Sequence, residues 1–263
     1  MSACERFRAL HEADGLFVMA NAWDVGSARL IEHLGFPATA TTSSGAAAAL
    51  GRLDGELDRA TAIAHGAELA AAVAIPVSAD LENGFADAPE QVAATIRAAA
   101  ATGLAGGSVE DWSGSEIYPR ELAAERVRAA VEAAAGRFVI TARAENLIRG
   151  VADLDDTIAR LQSFSEAGAE VLFAPGLASA DQIRAVLSSI DRPLSVLVVA
   201  GVPPLGELAE LGVRRVSLGG ALAFASYGAL VKAAREMLDA GTYGDGELAA
   251  LGREAISAAF RRP

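Results

Sequence analysis

One cysteine, one lysine and three histidines in 263 residues leave much side-chain chemistry closed to this chain. Cys4 stands near the start, in a stretch expected to fray, so an intrachain disulfide and a zinc centre of several thiolates are excluded. Lys232 lies in VKAAREML, an amphipathic helical pattern rather than a strand end, and a Schiff-base mechanism is not expected. His11, His33 and His65 fall within helix-like patterns with no metal-pair spacing, and are expected at the surface or in packing. Apolar runs break well before the roughly 18 residues that span a bilayer, and MSACERFRALHEADG has no signal-peptide core. A soluble, cytoplasmic protein is expected, with no membrane partner. Basic residues are also scarce, 22 against 34 acidic for a formal charge of −12, a field that repels nucleic acid.

What the chain does have is 52% hydrophobic residues, enough for one full-sized core. Short β-prone runs recur near Phe17–Ala20, Ala38–Thr41, Val77–Asp80, Gly107–Glu110, Phe138–Arg143, Val171–Ala174, Leu194–Val199 and Arg215–Leu218, separated by amphipathic Ala/Leu/Glu/Arg segments. Asp24, Asp87-Ala-Pro89-Glu90 and Asp153 stand as helix starts, and Gly35, Gly103 and Gly168 as helix ends. Eight βα units without a Pro/Ser-rich linker predict an α/β fold, a single (β/α)8 TIM barrel over residues 1–263; an open doubly wound sheet is the alternative. Residues 246–263 read as an additional C-terminal helix beyond the barrel's needs. It must cover the barrel bottom or another subunit, so a homo-oligomer is expected.

In a parallel barrel, chemistry gathers at the carboxyl ends of the strands. Strand three ends in Ser78-Ala-Asp80-Leu-Glu82-Asn-Gly84, whose two acids project to one side as the chain leaves the sheet. Strand four adds Glu110 and Asp111, and the loop after strand two adds Asp54. Such crowded carboxylates call for a cation, and an oxygen-rich site without histidine or thiolate selects Mg²⁺, or Mn²⁺, over zinc. Capping and ion pairing are the competing explanation for each acid taken singly. Arg143, ending strand five, offers a fork of donors for a substrate carboxylate or phosphonate, or else a rim salt bridge to Glu145 or Asp111. Thr41-Thr-Ser43-Ser44-Gly45 supplies hydroxyls and a glycine of the kind an anion pocket uses.

The segments NAWDVGSARLIEHLGF, TTSSG, SADLENGF, VEDWSG and TAR, in this order and spacing, resemble the isocitrate lyase/phosphoenolpyruvate mutase superfamily, from about Asn21 to Gly220. The resemblance implies a barrel in which Asp80 binds Mg²⁺ directly, with Glu82, Glu110 and Asp54 in its water-mediated shell. It casts Ser43, Ser44 and Gly45 as donors to a substrate carboxylate, Trp23 as a wall of the pocket, and Arg143 as the cationic partner of the substrate. It also implies C-terminal helices exchanged between subunits, in a homodimer or homotetramer.

The chain departs from that pattern after strand four. Isocitrate and methylisocitrate lyases carry a Lys-Cys-Gly-His type of loop there, whereas Asp111-Trp-Ser-Gly-Ser-Glu-Ile-Tyr-Pro-Arg120 has no cysteine, lysine or histidine. Ser113, Ser115, Glu116, Tyr118 and Arg120 are what remains to reach a substrate. Chemistry needing little beyond a metal and an electron sink survives this loss best. The expected function is therefore Mg²⁺-dependent cleavage of a C–C bond in a small α-keto or 2-hydroxy acid through an enolate, as in oxaloacetate decarboxylation or hydrolysis. A P–C bond enzyme and a non-catalytic barrel are the alternatives.

Overall fold

Each β-prone run becomes a strand in the computed structural model, which describes residues 1–261. They are β1 (Phe17–Ala22), β2 (Thr39–Thr41), β3 (Val77–Asp80), β4 (Gly106–Glu110), β5 (Val139–Arg143), β6 (Val171–Phe173), β7 (Leu194–Leu197) and β8 (Arg215–Ser217). All neighbours pair in parallel, and β1 pairs with both β2 and β8, so the sheet closes into a (β/α)8 barrel. The register puts Asp80 beside Ser108 and Glu110 beside Arg143. With side chains alternating along each strand, Asp80, Glu110 and Arg143 come to one mouth of the barrel.

The helices are α1 (Ala3–Glu12), α2 (Val25–His33), α3 (Ser43–Ala49), α4 (Arg59–Ala72), α5 (Pro89–Ala100), α6 (Arg120–Ala134), α7 (Leu154–Glu166), α8 (Ala180–Leu187), α9 (Leu205–Leu211), α10 (Ala221–Ala240) and α11 (Gly246–Ala259). Asp24 and Asp153 cap α2 and α7 by accepting from Ser27 and Asp156 N–H groups at 2.6 and 2.9 Å. Asp87 caps nothing: α5 starts at Pro89 behind Ala88, and Asp87 accepts the Tyr118 hydroxyl instead.

The cysteine-bearing start does not fray. Cys4 and Phe7, on α1, pack with Phe17, Met19, Ala38 and Val139, so α1 closes the barrel at the end opposite the mouth. His11 is buried beside Phe7 and Phe17, held neutral with its pKa pushed down to about 3 by burial and by Arg215. The bottom being covered by α1, the C-terminal pair is free for the side of the barrel. There α11 packs against α2, with Phe260 near Arg29, while Leu230, Leu238, Tyr243 and Leu251 stay exposed. Among the described residues no helix is long and apolar enough to cross a membrane.

Candidate active site

Asp80 is the hub of the mouth. Its Oδ1 accepts from Arg143 Nη1 at 3.1 Å, and its Oδ2 accepts from the Ser43 N–H at 3.2 Å. Its own N–H donates to Thr41 Oγ1 at 2.8 Å, which ties the end of β3 to β2. Asn21, at the end of β1, closes the ring from the other side. Its amide donates to the Thr41 carbonyl and its oxygen accepts from the N–H groups of Leu218 and Gly219.

Glu82 reaches the same face by a strained turn. Glu82 and Phe85 adopt φ of 48° and 58°, values that L-residues rarely hold, and Gly84 between them sits at 75°. The turn persists because Arg126 grips it. That guanidinium, 1% exposed, donates to the carbonyls of Ala86 at 2.7 Å and Asp87 at 2.9 Å and to that of Asn83. It also lies 4.0 Å from the centre of the Tyr118 ring. Strain over-determined in this way concentrates at functional sites.

Arg143 is clamped by three carboxylates, Asp80 at 3.1 Å, Glu110 at 3.2 Å and Glu145 at 2.8 Å, which hold its charge on despite burial. The expected rim bridge to Glu145 therefore exists, but within a larger cluster; Asp111 takes no part. Arg149 stands over the cluster at 3.3 Å from Glu145, with its guanidinium 4.8 Å from the centre of the Trp112 ring. Negative charge still predominates. Burial, reinforced by Asp80 and Asp54, pushes Glu82 up to about 7. Burial, reinforced by Glu145 and Asp80, pushes Glu110 up to about 8 against the opposing pull of Arg143. Glu145 Oε2, buried, has that ion pair with Arg149 Nη2 but no hydrogen bond of good geometry.

A narrow well of about 150 Å³ opens beside Asp80 and Arg143, with Ser43, Ser44 and Asp54 on its lining and Phe173 on its wall. Two residues expected to contact substrate are not on the lining of the well. Gly45 is buried behind it, where an added Cβ would come within 2.6 Å of the Thr42 methyl and 3.0 Å of Trp23 Cβ, so the absence of a side chain there serves close packing. Trp23 is not a wall of the well: it backs Gly45 and lines a separate outer groove with Ala46 and His65. Asp111 is structural, accepting from Arg160 at 3.1 Å and from the Glu145 N–H at 2.8 Å. Of the loop candidates, Ser113 lines the outer mouth, while Tyr118 is buried and engaged with Asp87 and Asn83.

Sequence reasoning passed over Arg149, Asn21 and Phe173, and set Glu145 aside as a mere ion-pair partner. For Asn21 a signal existed, a polar residue ending an apolar strand. Arg149 had none, since it reaches the cluster from a loop whose path only the fold sets.

The donor set suits a hard divalent cation. All the side chains are carboxylates, and two keep elevated pKa values because burial, with carboxylate neighbours behind it, outweighs the pull of the local guanidiniums. Among the described residues no three acidic or imidazole groups stand close enough to ligate one ion together. That arrangement is compatible with Asp80 as a single direct ligand and with Glu82 and Glu110 acting through water, and not with a direct trio.

The family model for phosphoenolpyruvate phosphomutase matches residues 7–238. A protein of Burkholderia cenocepacia J2315 provisionally assigned as a lyase/mutase has a crystal structure that superposes with a TM-score of 0.95 at 49% identity, covering 99% of this chain and 97% of that one. The oxaloacetate decarboxylase of Pseudomonas putida is 30% identical over 84% of this chain and 79% of its own length. The crystal structure of 2,3-dimethylmalate lyase, a PEP mutase/isocitrate lyase superfamily member, matches with a TM-score of 0.85 at 26% identity, covering 97% and 94% of the two chains. A match over most of the barrel, joined to an acid-and-arginine cluster at its mouth, leaves one assignment: the chain is an enzyme of the phosphoenolpyruvate phosphomutase family, within the PEP mutase/isocitrate lyase superfamily.

Proposed function

We propose that this enzyme is a Mg²⁺- or Mn²⁺-dependent lyase that cleaves a C–C bond of a small α-keto or 2-hydroxy carboxylic acid through an enolate, with oxaloacetate as the reference substrate. The observation that carries the reading is the pairing of Asp80 with Arg143 at a well of about 150 Å³. That volume lies below the few hundred Å³ typical of drug-sized ligands, so the substrate is small. A divalent cation held by Asp80, with Glu82 and Glu110 behind water, would polarise a keto oxygen as a Lewis acid. Arg143 is the donor for the developing enolate oxygen or its neighbouring carboxylate, and it is already oriented by Glu145 through two bonds of 2.8–2.9 Å. Ser43 and Ser44 supply hydroxyls at the well's edge. The relatives named for oxaloacetate and dimethylmalate support the same substrate class.

The loop between β4 and α6 sets the limit of the chemistry. It presents Ser113 and Gly114 to the outer mouth, and its sequence holds no cysteine, lysine or histidine. Decarboxylation or hydrolysis demands less of such a loop than reversible isocitrate cleavage does.

The test is turnover of oxaloacetate and of substituted malates by purified protein with and without Mg²⁺, beside the Asp80→Ala variant. Metal-dependent release of a keto acid, or of oxalate where the cleavage is hydrolytic, abolished in a folded Asp80→Ala protein, is expected; undiminished turnover in that variant would refute the assignment. The family model's own description favours a second reading, a P–C bond enzyme at the same site. Phosphonopyruvate offered in the same assay separates the two.

A further inference from the structure

Three arginines are buried in or around the barrel and a fourth, Arg143, is half-buried at its mouth; all but one have anionic or carbonyl partners in number. Arg143 has three carboxylates, Arg160 has Asp111 and Asp156, and Arg126 has three carbonyl oxygens. Arg215 is the exception. It is 2% exposed, and among the described residues no acidic side chain bridges it. Its hydrogen bonds go to neutral groups: Nε to Ser195 Oγ at 2.9 Å, and Nη1 to Thr141 Oγ1 at 3.3 Å and His11 Nε2 at 3.2 Å. A guanidinium can only donate, so His11 Nε2 accepts, and its Nδ1 donates to the Phe7 carbonyl at 2.8 Å. The imidazole therefore supplies no charge to answer that of Arg215.

This cation is not sealed off. The well that begins at Asp80 and Arg143 also has Arg215 on its lining, together with Ala40, Ser78, Ser108 and Ser217. Barrel interiors are usually filled by branched apolar side chains. Here small and hydroxyl-bearing residues leave a shaft that runs from the acidic mouth to an arginine at the floor. Burying a guanidinium without an anion costs several kcal/mol, and hydroxyls offset only part of that. An anion entering the shaft would meet Arg215, the serine hydroxyls and the underside of Arg143.

We propose that the lower end of this shaft is a binding site for a small anion, a halide or a carboxylate group, held by Arg215. The site stands apart from the question of which acid the enzyme cleaves. Its occupant is either a free ion or the inner carboxylate of the substrate.

Crystals of the full chain grown in sodium bromide, with anomalous data collected at the bromine edge, test it directly. A bromide within hydrogen-bond distance of the Arg215 guanidinium is expected, and its absence overturns the proposal. In solution, exchanging a bulky sulfonate for bromide at constant ionic strength should raise the melting temperature by about 2–4 °C once bromide exceeds its dissociation constant several-fold. The rise should persist in Arg215→Lys and vanish in Arg215→Met; an equal rise in Arg215→Met also overturns the site. Should Arg215→Met fail to fold, the anomalous map of the unaltered protein decides alone. Adding Mg²⁺ and oxalate then distinguishes the sources. Displaced bromide marks the floor as a substrate-carboxylate subsite, and retained bromide marks it as a separate ion site; both support the assignment. Loss of turnover in D80A with bromide still bound would leave this site standing, as would failure of every candidate substrate.

Discussion

Titrating the metal-free enzyme with Mg²⁺ should release protons, and the number can be worked from the site. At pH 7, Glu82, with its pKa at about 7, is about half protonated, and Glu110, at about 8, is about nine-tenths protonated. A cation that draws on both carboxylates expels about 1.4 protons at that pH. At pH 9 it expels almost none. Affinity should accordingly climb by about a hundredfold or more between pH 6 and pH 8 and then level off. The sign for stability follows from the same values. Both folded-state pKa values lie above the ordinary 4.5 of a glutamate, so the native state holds more protons than the unfolded chain between those limits. The metal-free protein therefore loses stability as pH rises from about 4.5 through about 8, and Mg²⁺ should restore it most at the alkaline end. Calorimetric titration in buffers of different ionisation enthalpy reads the protons directly, and thermal melts across pH read the stability. A heat independent of buffer, joined to an affinity flat from pH 6 to pH 8, would refute the idea that these carboxylates share the cation.

Gly84→Ala should destabilise the fold by about 1–3 kcal/mol, because φ is 75° and the new methyl would lie 3.0 Å from Val92; urea denaturation measures the loss, and an unchanged midpoint would sink the argument for strain at this turn. Asp111→Asn should cost about 3–5 kcal/mol by leaving Arg160 short of a buried counter-charge, with little effect on Mg²⁺ affinity. Denaturation and calorimetry on the same preparation check that split, and a large affinity loss would place Asp111 in the site after all.

The barrel was legible because its signals are local and repeat. Eight apolar runs, Asp24 and Asp153 as caps, and Gly35, Gly103 and Gly168 at left-handed positions each determine a neighbourhood of a few residues. That Asp80, Glu110 and Arg143 meet at one place was equally legible, since strand ends share one mouth in a parallel barrel. Less legible were placements that depend on direction in three dimensions. Gly45 and Trp23 are adjacent to the well in sequence logic, yet α3 turns the glycine into the packing beneath Ala223 and Thr42 and carries the indole to the outer side. Asp87 reads as a cap from its spacing to Pro89, but Tyr118, 31 residues away, takes its oxygen. Cys4 was expected to fray because terminal segments commonly do; a capping box from Ser2 and Glu5 and the apolar floor of the barrel fix it instead.

The two ends of the shaft carry opposite charge, and this polarity bears on why the mouth tolerates so many acids. Among the described residues, the ion pairs of Asp80, Glu110 and Glu145 at the rim run only to Arg143 and Arg149, so on the proposed function a divalent cation would offset the remaining negative charge before a carboxylate approached. Arg215 lies beneath, where no carboxylate of the protein answers it. On the proposed function, a field of this shape would favour a metal chelate of a small acid over the free acid at the rim. The same field would set the direction in which a bond breaks. On the proposed function, charge developing on an enolate oxygen beside Asp80 and Arg143 would be stabilised by the cationic fork. Ser113, Gly114 and Trp112 add no ionised side chain to the outer mouth, so a fragment released there would meet a neutral stretch of its wall.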